Sequence, residues 1–275
     1  MLADLPARFE ASARLSPAGG VRITGIDLSR PLQPDAKDRI AAAFLADHVV
    51  VFPDQSLSRE QQFAFAANFG EVEAHGGHRG EAKRYATAHV MTNLDADGNP
   101  TIRRSPAANY HWHTDKPYHP APPMLTMLHA IEVPPVGADT EFANMALAYA
   151  ALPDAVRFLI DGLRVVFSPA FDAGGGACVD HPLVRTHPDT GGKSLYLGNH
   201  STHIVGLPTA EGRALLDRLL RYATGRHFVH VHHWRRGDLV MWDNRVLLHR
   251  VVADEGLDKY RRIMHRSVVK GSVPV

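Results

Sequence analysis

The segment Trp112-His113-Thr114-Asp115 sets an imidazole and a carboxylate two residues apart. On an extended chain residues i and i+2 share a face, so both side chains can close on one ion. Alone the pair is a weak signal, because His-x-Asp arises often by chance. Downstream, the run from Asp238 through Leu239, Val240, Met241 and Trp242 to His249 carries a second imidazole at the end of what reads as one apolar strand. Two histidines and one carboxylate form a facial set that leaves metal positions open, which suits non-haem Fe(II) oxygenases. His113, Asp115 and His249 are the candidate ligands, and His111, on the same strand face as His113, offers an alternative pair.

Arg262 follows His249 by thirteen residues, enough for one turn and a return along the adjacent strand. Strand alternation puts Arg262, Met264 and Arg266 on one face and Arg261, Ile263 and His265 on the other. Two guanidiniums are thus expected in one pocket, where a planar fork that stays charged suits a carboxylate better than a lysine would. The chain has eighteen histidines, and only position relative to other ligands raises one above surface or packing duty. His230, His232 and His233 have no carboxylate at ligand spacing and read as part of a half-exposed strand. Trp242 reads as a core ring, Asp243 as a turn residue and Cys178 as an incidental thiol.

Short β-rich runs must position these groups: Val21–Ile26, Val49–Phe52, Ala88–Thr92, Leu125–Val133, Leu183–Thr186, Leu195–Leu197, Phe228–Trp234, Asp238–Trp242 and Ile263–Val269. Gly, Pro and Asp turns between them predict a β sandwich or barrel rather than regular βαβ alternation. Helical spacing marks Asp35–Ala46, Ser58–Phe69, Pro153–Ile160 and Thr209–Tyr222, with Ser58 and Gln61 in capping-box relation. These helices should pack outside the sheets. Glu73–Arg84, Asp95–Asn109 and Ser168–Pro182 read as long loops, the last with Gly174, Gly175 and Gly176.

The 275 residues are 45% hydrophobic and 21% charged, an ordinary globular composition that predicts a single domain with loop insertions, about 73–109 and 168–182, over the active site. A net charge of +1 gives no bulk electrostatic case for nucleic acid or an anionic membrane. No apolar run approaches the roughly 18–20 residues of a membrane span, and the first residues lack the apolar core of a signal peptide. One cysteine fits a reducing cytoplasm. A homo-oligomer is compatible with all of this.

The blocks Phe69-Gly70-Glu71, Trp112-His113-Thr114-Asp115, Gly137-Ala138-Asp139-Thr140-Glu141-Phe142, His181-Pro182-Leu183-Val184-Arg185-Thr186-His187-Pro188, Trp242-Asp243-Asn244-Arg245 and Arg261-Arg262-Ile263-Met264-His265-Arg266 occur in this order. Together they resemble the taurine and 2,4-dichlorophenoxyacetate dioxygenases, over about Val21 to Val269. The resemblance implies a mainly β fold with flanking helices, a double-stranded β-helix or jelly roll, with the metal set at its mouth. It makes His113, Asp115 and His249 the iron ligands. It implies that Thr140 and Arg262 bind the distal carboxylate of 2-oxoglutarate, whose keto acid end chelates Fe(II), and that O2 takes the remaining site.

By the same resemblance, a small organic anion is hydroxylated while 2-oxoglutarate leaves as succinate and CO2, and Arg266 and His75 meet the substrate's acidic group. Tyr118, His200 and His203 are further pocket candidates. Lys116 departs from the small or apolar residue usual at its place, and either adds a cation near the substrate or points outward. Leu197–His203 and Phe142–Met145 resemble the aryloxyacetate branch more than the taurine branch, which puts aryloxyalkanoate-like carboxylates ahead of sulfonates. Asp115 speaks against a halogenase, whose relatives lack that carboxylate. Two rivals stand beside this reading. A jelly-roll hydrolase or isomerase would use a metal-bound water and have no use for Arg262. A non-catalytic module would hold a carboxylate ligand without turning it over.

Overall fold

The computed structural model describes residues 9–76, 84–101, 107–169, 178–252 and 259–275. The expected loop insertions fall partly outside these, as do the glycine triplet and the side chain of His75. A seven-stranded sheet runs in the order Glu10–Ala11, Val21–Thr24, Val49–Phe52, Leu239–Asp243, Leu125–Glu132, Ile263–Val269, His89–Thr92. A three-stranded sheet of Val229–His232, Thr140–Asn144 and Leu247–Val251 shares a core with it.

The apolar pattern explains the layers. Val49 and Val51 point inward, where Leu128, Val240, Trp242 and Met264 of the large sheet meet Phe142 and Leu247 of the small one. Val50 and Phe52 point outward with Leu125, Met127, Leu239 and Met241, onto Ile40, Phe44 and Phe65. Those three lie on the helices Pro34–Asp47 and Arg59–Ala66. Strands buried on both faces need no polar alternate, which is why Val49–Phe52 is apolar throughout. Behind the small sheet, Ala143 and Leu248 pack on Met145 and Ala148 and on Leu216 and Leu219 of the helix Thr209–Ala223. Each such leucine contributes about 1.5–3 kcal/mol by leaving water, so the helices are held mainly by these stripes. The result is a mainly β jelly roll with helices on its outer faces.

The capping box forms as expected: Gln61 N donates to Ser58 Oγ (3.1 Å) and Ser58 N to Gln61 Oε1 (2.8 Å). Other expectations need correction. The run ending at His249 is two strands in different sheets, Leu239–Asp243 and Leu247–Val251, split by a turn. Arg245 N donates to Asp243 Oδ1 (2.9 Å), the local bond by which aspartate reverses a chain. His249 therefore sits mid-strand. The arginine strand Ile263–Val269 lies beside Leu125–Glu132, in the sheet opposite His249, not adjacent to it. His230 and His232 are each only 6% exposed, with His230 stacked on Phe142 and His232 Nε2 lying 3.2 Å from Asp238. The helix Met145–Ala150, absent from the sequence expectation, starts where Asn144 Oδ1 accepts from Ala146 N and Leu147 N. Among the described residues no helix is long and apolar enough to cross a membrane.

Candidate active site

Backbone pairing brings the two candidate ligand histidines together. His113 N donates to the His249 carbonyl (3.1 Å) and His249 N to the His113 carbonyl (2.7 Å), an isolated antiparallel bridge. Their ring centroids lie 4.1 Å apart. The close approach of the 197–199 backbone depends on Gly198: its φ is +155°, and a Cβ there would lie 3.2 Å from the Trp112 carbonyl oxygen, which accepts from Asn199 N. Asp115 falls beyond the bridge, in a bend, and Lys116 after it has a left-handed φ of 46°. The i, i+2 spacing thus works through one bridge and a bend instead of a strand.

The turn between the split strands fixes the carboxylate. Thr114 Oγ1 donates to the Asn244 carbonyl (2.8 Å), Asn244 Nδ2 to Thr126 Oγ1 (2.9 Å), and Thr126 donates its hydroxyl to Asp115. Ligand atoms of His113, Asp115 and His249 all lie within 4.8 Å of one another, and no other group of three His, Cys, Asp or Glu residues does so among the described residues. His111 is outside the group. Its carbonyl accepts from His113 Nδ1 (2.8 Å), which fixes the tautomer and leaves Nε2 for a metal.

Electrostatics match the donor set. Burial, with His113 beside it, pushes His249 down to about 3, and burial also lowers His113, so both imidazoles stay neutral. Burial works to raise Asp115, but His249, Arg266, His113 and the Thr126 hydrogen bond outweigh it and hold the carboxyl at about 2. Two neutral imidazoles and an ionised carboxylate are what a hard-to-borderline divalent cation such as Fe(II) takes.

A cavity of about 410 Å3 opens on this group, with Arg262, Arg266, Thr140 and Tyr110 in its walls and Leu128, Trp242 and Val251 as apolar lining. Arg262 Nε and Nη2 are buried and have no hydrogen-bond partner among the described residues. Burial lowers the guanidinium to about 10, and Tyr110 opposes that shift. Asn93 fixes the backbone there, its Oδ1 accepting from Arg262 N (2.7 Å). Thr140 Oγ1 accepts from Trp234 Nε1 (2.9 Å), which leaves its own proton free for an acceptor in the cavity.

Arg266 and His89 also line an adjoining recess with Glu73, Lys116 and His119. Lys116 is ion-paired with Glu73 there and does not line the metal-site cavity. Tyr118 meets His200 edge-on at 5.0 Å, and both feel the charge of Asp115, but neither lines the cavity. His203 is engaged with Thr202 Oγ1 (3.0 Å) and lines neither space. Sequence reasoning missed Tyr110, whose one signal was its place just ahead of His113. It also read Trp242 as core only, whereas the ring stands 4.9 Å from that of His249 and lines the cavity.

Residues 11–268 match the profile of the family described as "Taurine catabolism dioxygenase TauD, TfdA family". The alpha-ketoglutarate-dependent 2,4-dichlorophenoxyacetate dioxygenase of Cupriavidus pinatubonensis is 39% identical over 259 residues, 86% of this chain and 90% of that protein. The (S)-phenoxypropionate/alpha-ketoglutarate-dioxygenase of Delftia acidovorans is 33% identical, over 96% of this chain and 97% of that one. Among solved structures, AAD-2 in complex with Mn(II) and N-oxalylglycine superposes with a TM-score of 0.87 at 34% identity, covering 97% of this chain and 99% of its own.

Proposed function

We propose, for a chain that belongs to the taurine catabolism dioxygenase TauD, TfdA family and is an Fe(II)- and 2-oxoglutarate-dependent dioxygenase, a division of labour within the cavity that opens on the His113, Asp115 and His249 group. His113, Asp115 and His249 hold the iron, Arg262 and Thr140 hold the distal carboxylate of 2-oxoglutarate, and Arg266 receives the anionic group of the substrate. The observation that carries this is a pair of arginines, Arg262 immediately before the strand Ile263–Val269 and Arg266 within it, both reaching the cavity. Arg262 has two orphaned donors, Nε and Nη2, and Arg266 one, its Nε, while Arg266 also acts electrostatically on all three candidate ligands.

When bound, iron and the keto acid supply the oxidising power that inserts oxygen from O2 into a C–H bond, 2-oxoglutarate leaving as succinate and CO2. The protein's own work is placement. The Arg262 fork and the Thr140 hydroxyl fix the far end of the co-substrate, so its keto acid end can address the triad. Leu128, Trp242 and Val251 keep water away, and Arg266 sets the substrate's reach from its anionic group.

The substrate is a small organic anion, an aryloxyalkanoate-like carboxylate ahead of a sulfonate. A planar carboxylate fits a guanidinium bidentately. The activities named for the relatives at 39% and 33% identity, and the aryloxyacetate-like segments 142–145 and 197–203, support the same order. Hydroxylation beside an ether oxygen gives an unstable product that fragments to a phenol. Lys116, His75, Tyr118, His200 and His203 are kept as residues that shape this substrate end, and residues 1–275 as one catalytic domain. A hydrolase or isomerase leaves Arg262 without a role, and a binding module leaves the triad without one. Screening Fe(II)-loaded protein for substrate-dependent succinate should give phenol release from aryloxyalkanoates. Succinate with alkylsulfonates alone would overturn the substrate class, and hydrolysis without succinate the roles given to the site.

A further inference from the structure

We propose that Tyr110 is a third donor to the distal carboxylate of 2-oxoglutarate, its hydroxyl completing the set begun by Arg262 and Thr140. This rests on the roles given to those two residues above. Tyr110 ends the 3-10 turn Ala107–Tyr110 and lines the same cavity as Arg262 and Thr140. Its hydroxyl is buried and has no hydrogen-bond partner among the described residues. A buried tyrosine hydroxyl ordinarily finds a partner, so an orphaned one in a cavity wall marks a place for a ligand atom.

The neighbour identifies that atom. Tyr110 and Arg262 line one cavity, and among the described residues Tyr110 is the titratable side chain whose charge acts on the Arg262 guanidinium, so hydroxyl and orphaned fork share this space. The cavity's one carboxylate among the described residues, Asp115, is engaged with Thr126 and the ligand histidines. An ionised carboxylate has about four lone-pair positions. Arg262 Nε and Nη2 fill two side by side, Thr140 a third and Tyr110 the fourth. A carboxylate so held satisfies the orphaned donors of both Arg262 and Tyr110 at once.

The test is calorimetric titration of anaerobic Fe(II)-loaded protein with 2-oxoglutarate and with 2-oxobutanoate, which keeps the keto acid end and lacks the distal carboxylate. Tyr110→Phe keeps the ring and removes only the donor. It should weaken 2-oxoglutarate roughly 10-fold or more, the range of a hydrogen bond to a charged group, while 2-oxobutanoate binds both proteins equally. Tyr110→Leu should show the same selective loss. Unchanged 2-oxoglutarate binding in Tyr110→Phe, or an equal loss with both keto acids, would overturn the proposal. Arg262→Ala separates the two levels: if it loses 2-oxoglutarate and Tyr110→Phe does not, Tyr110 alone is misassigned. If neither variant loses it, the role of Arg262 falls as well.

Discussion

Arg245 and Arg262 both stand beside the jelly-roll core, Arg245 buried and Arg262 half-buried, and their surroundings differ completely. Arg245 Nε and Nη2 donate to the two oxygens of Asp243 (2.8 and 2.7 Å), and Nη1 donates to Asp189 (2.6 Å). Asp243 also pairs with His187 at 3.0 Å. Burial works to raise the Asp243 carboxyl, but Arg245 and His187 outweigh it and hold it well below the usual carboxylate range. Arg262 has the same side chain, and its Nε and Nη2, buried although the residue as a whole is half-buried, meet no protein acceptor among the described residues. A closed buried ion network fixes the turn that splits the two strands. An open one lines a cavity, where the role proposed for Arg262 has a ligand complete it. Arg185 shows that orphaned donors are not enough: its guanidinium lies over Tyr196 at 5.1 Å and does not line the cavity.

The contrast can be broken at either end. The largest effect is expected at the metal. Asp115→Ala or His249→Ala removes one of three protein ligands, so metal analysis should find the iron lost and turnover should vanish. His111→Ala should keep both. Next is the closed network, where Asp243→Ala leaves the buried Arg245 with only the half-exposed Asp189 as partner. Denaturant unfolding should show a loss of about 3–5 kcal/mol. Arg262→Ala should behave oppositely, with stability nearly unchanged and 2-oxoglutarate binding weakened about 10- to 100-fold, equivalent to roughly 1.5–3 kcal/mol. A large stability loss in that variant would make Arg262 a second Arg245.

The smallest effect is a pH slope. Burial, with His232 and His233, pushes His230 down to about 4 from the ordinary 6.5. Between those values the unfolded chain takes up a proton that the folded one refuses. Stability should therefore fall as pH drops from about 6.5 to about 4, by up to about 1.4 kcal/mol per pH unit for this group. His230→Phe should flatten the slope, and an unaltered slope would contradict the burial argument.

Much of the site was legible because it depended on local chemistry. His113, Asp115 and His249 are residue types with few uses in combination, and alternation alone put Arg262 and Arg266 on one face. The capping box and the strand Val49–Phe52 were readable for the same reason. What escaped depended on distant partners. The strand Thr140–Asn144 has a weak pattern of its own and is defined by pairing with Val229–His232 and Leu247–Val251. The arginine strand's place opposite His249 is set by Leu125–Glu132, and the burial of His230 by Phe142. Tyr110 had only its place just ahead of His113 as a signal, since the role proposed for it depends on an arginine far along the chain.

Two arginines at one strand, Arg262 just before it and Arg266 within it, are proposed to meet different partners. This is tested by anaerobic titration of Fe(II)-loaded protein with 2-oxoglutarate, following the weak visible charge-transfer band of a chelated keto acid without primary substrate. Wild type and Arg266→Ala should develop the band over the same concentration range, and Arg262→Ala should need about 10- to 100-fold more 2-oxoglutarate. If Arg266→Ala shifted the titration and Arg262→Ala did not, the two roles would be reversed and the proposed substrate end would fall with them.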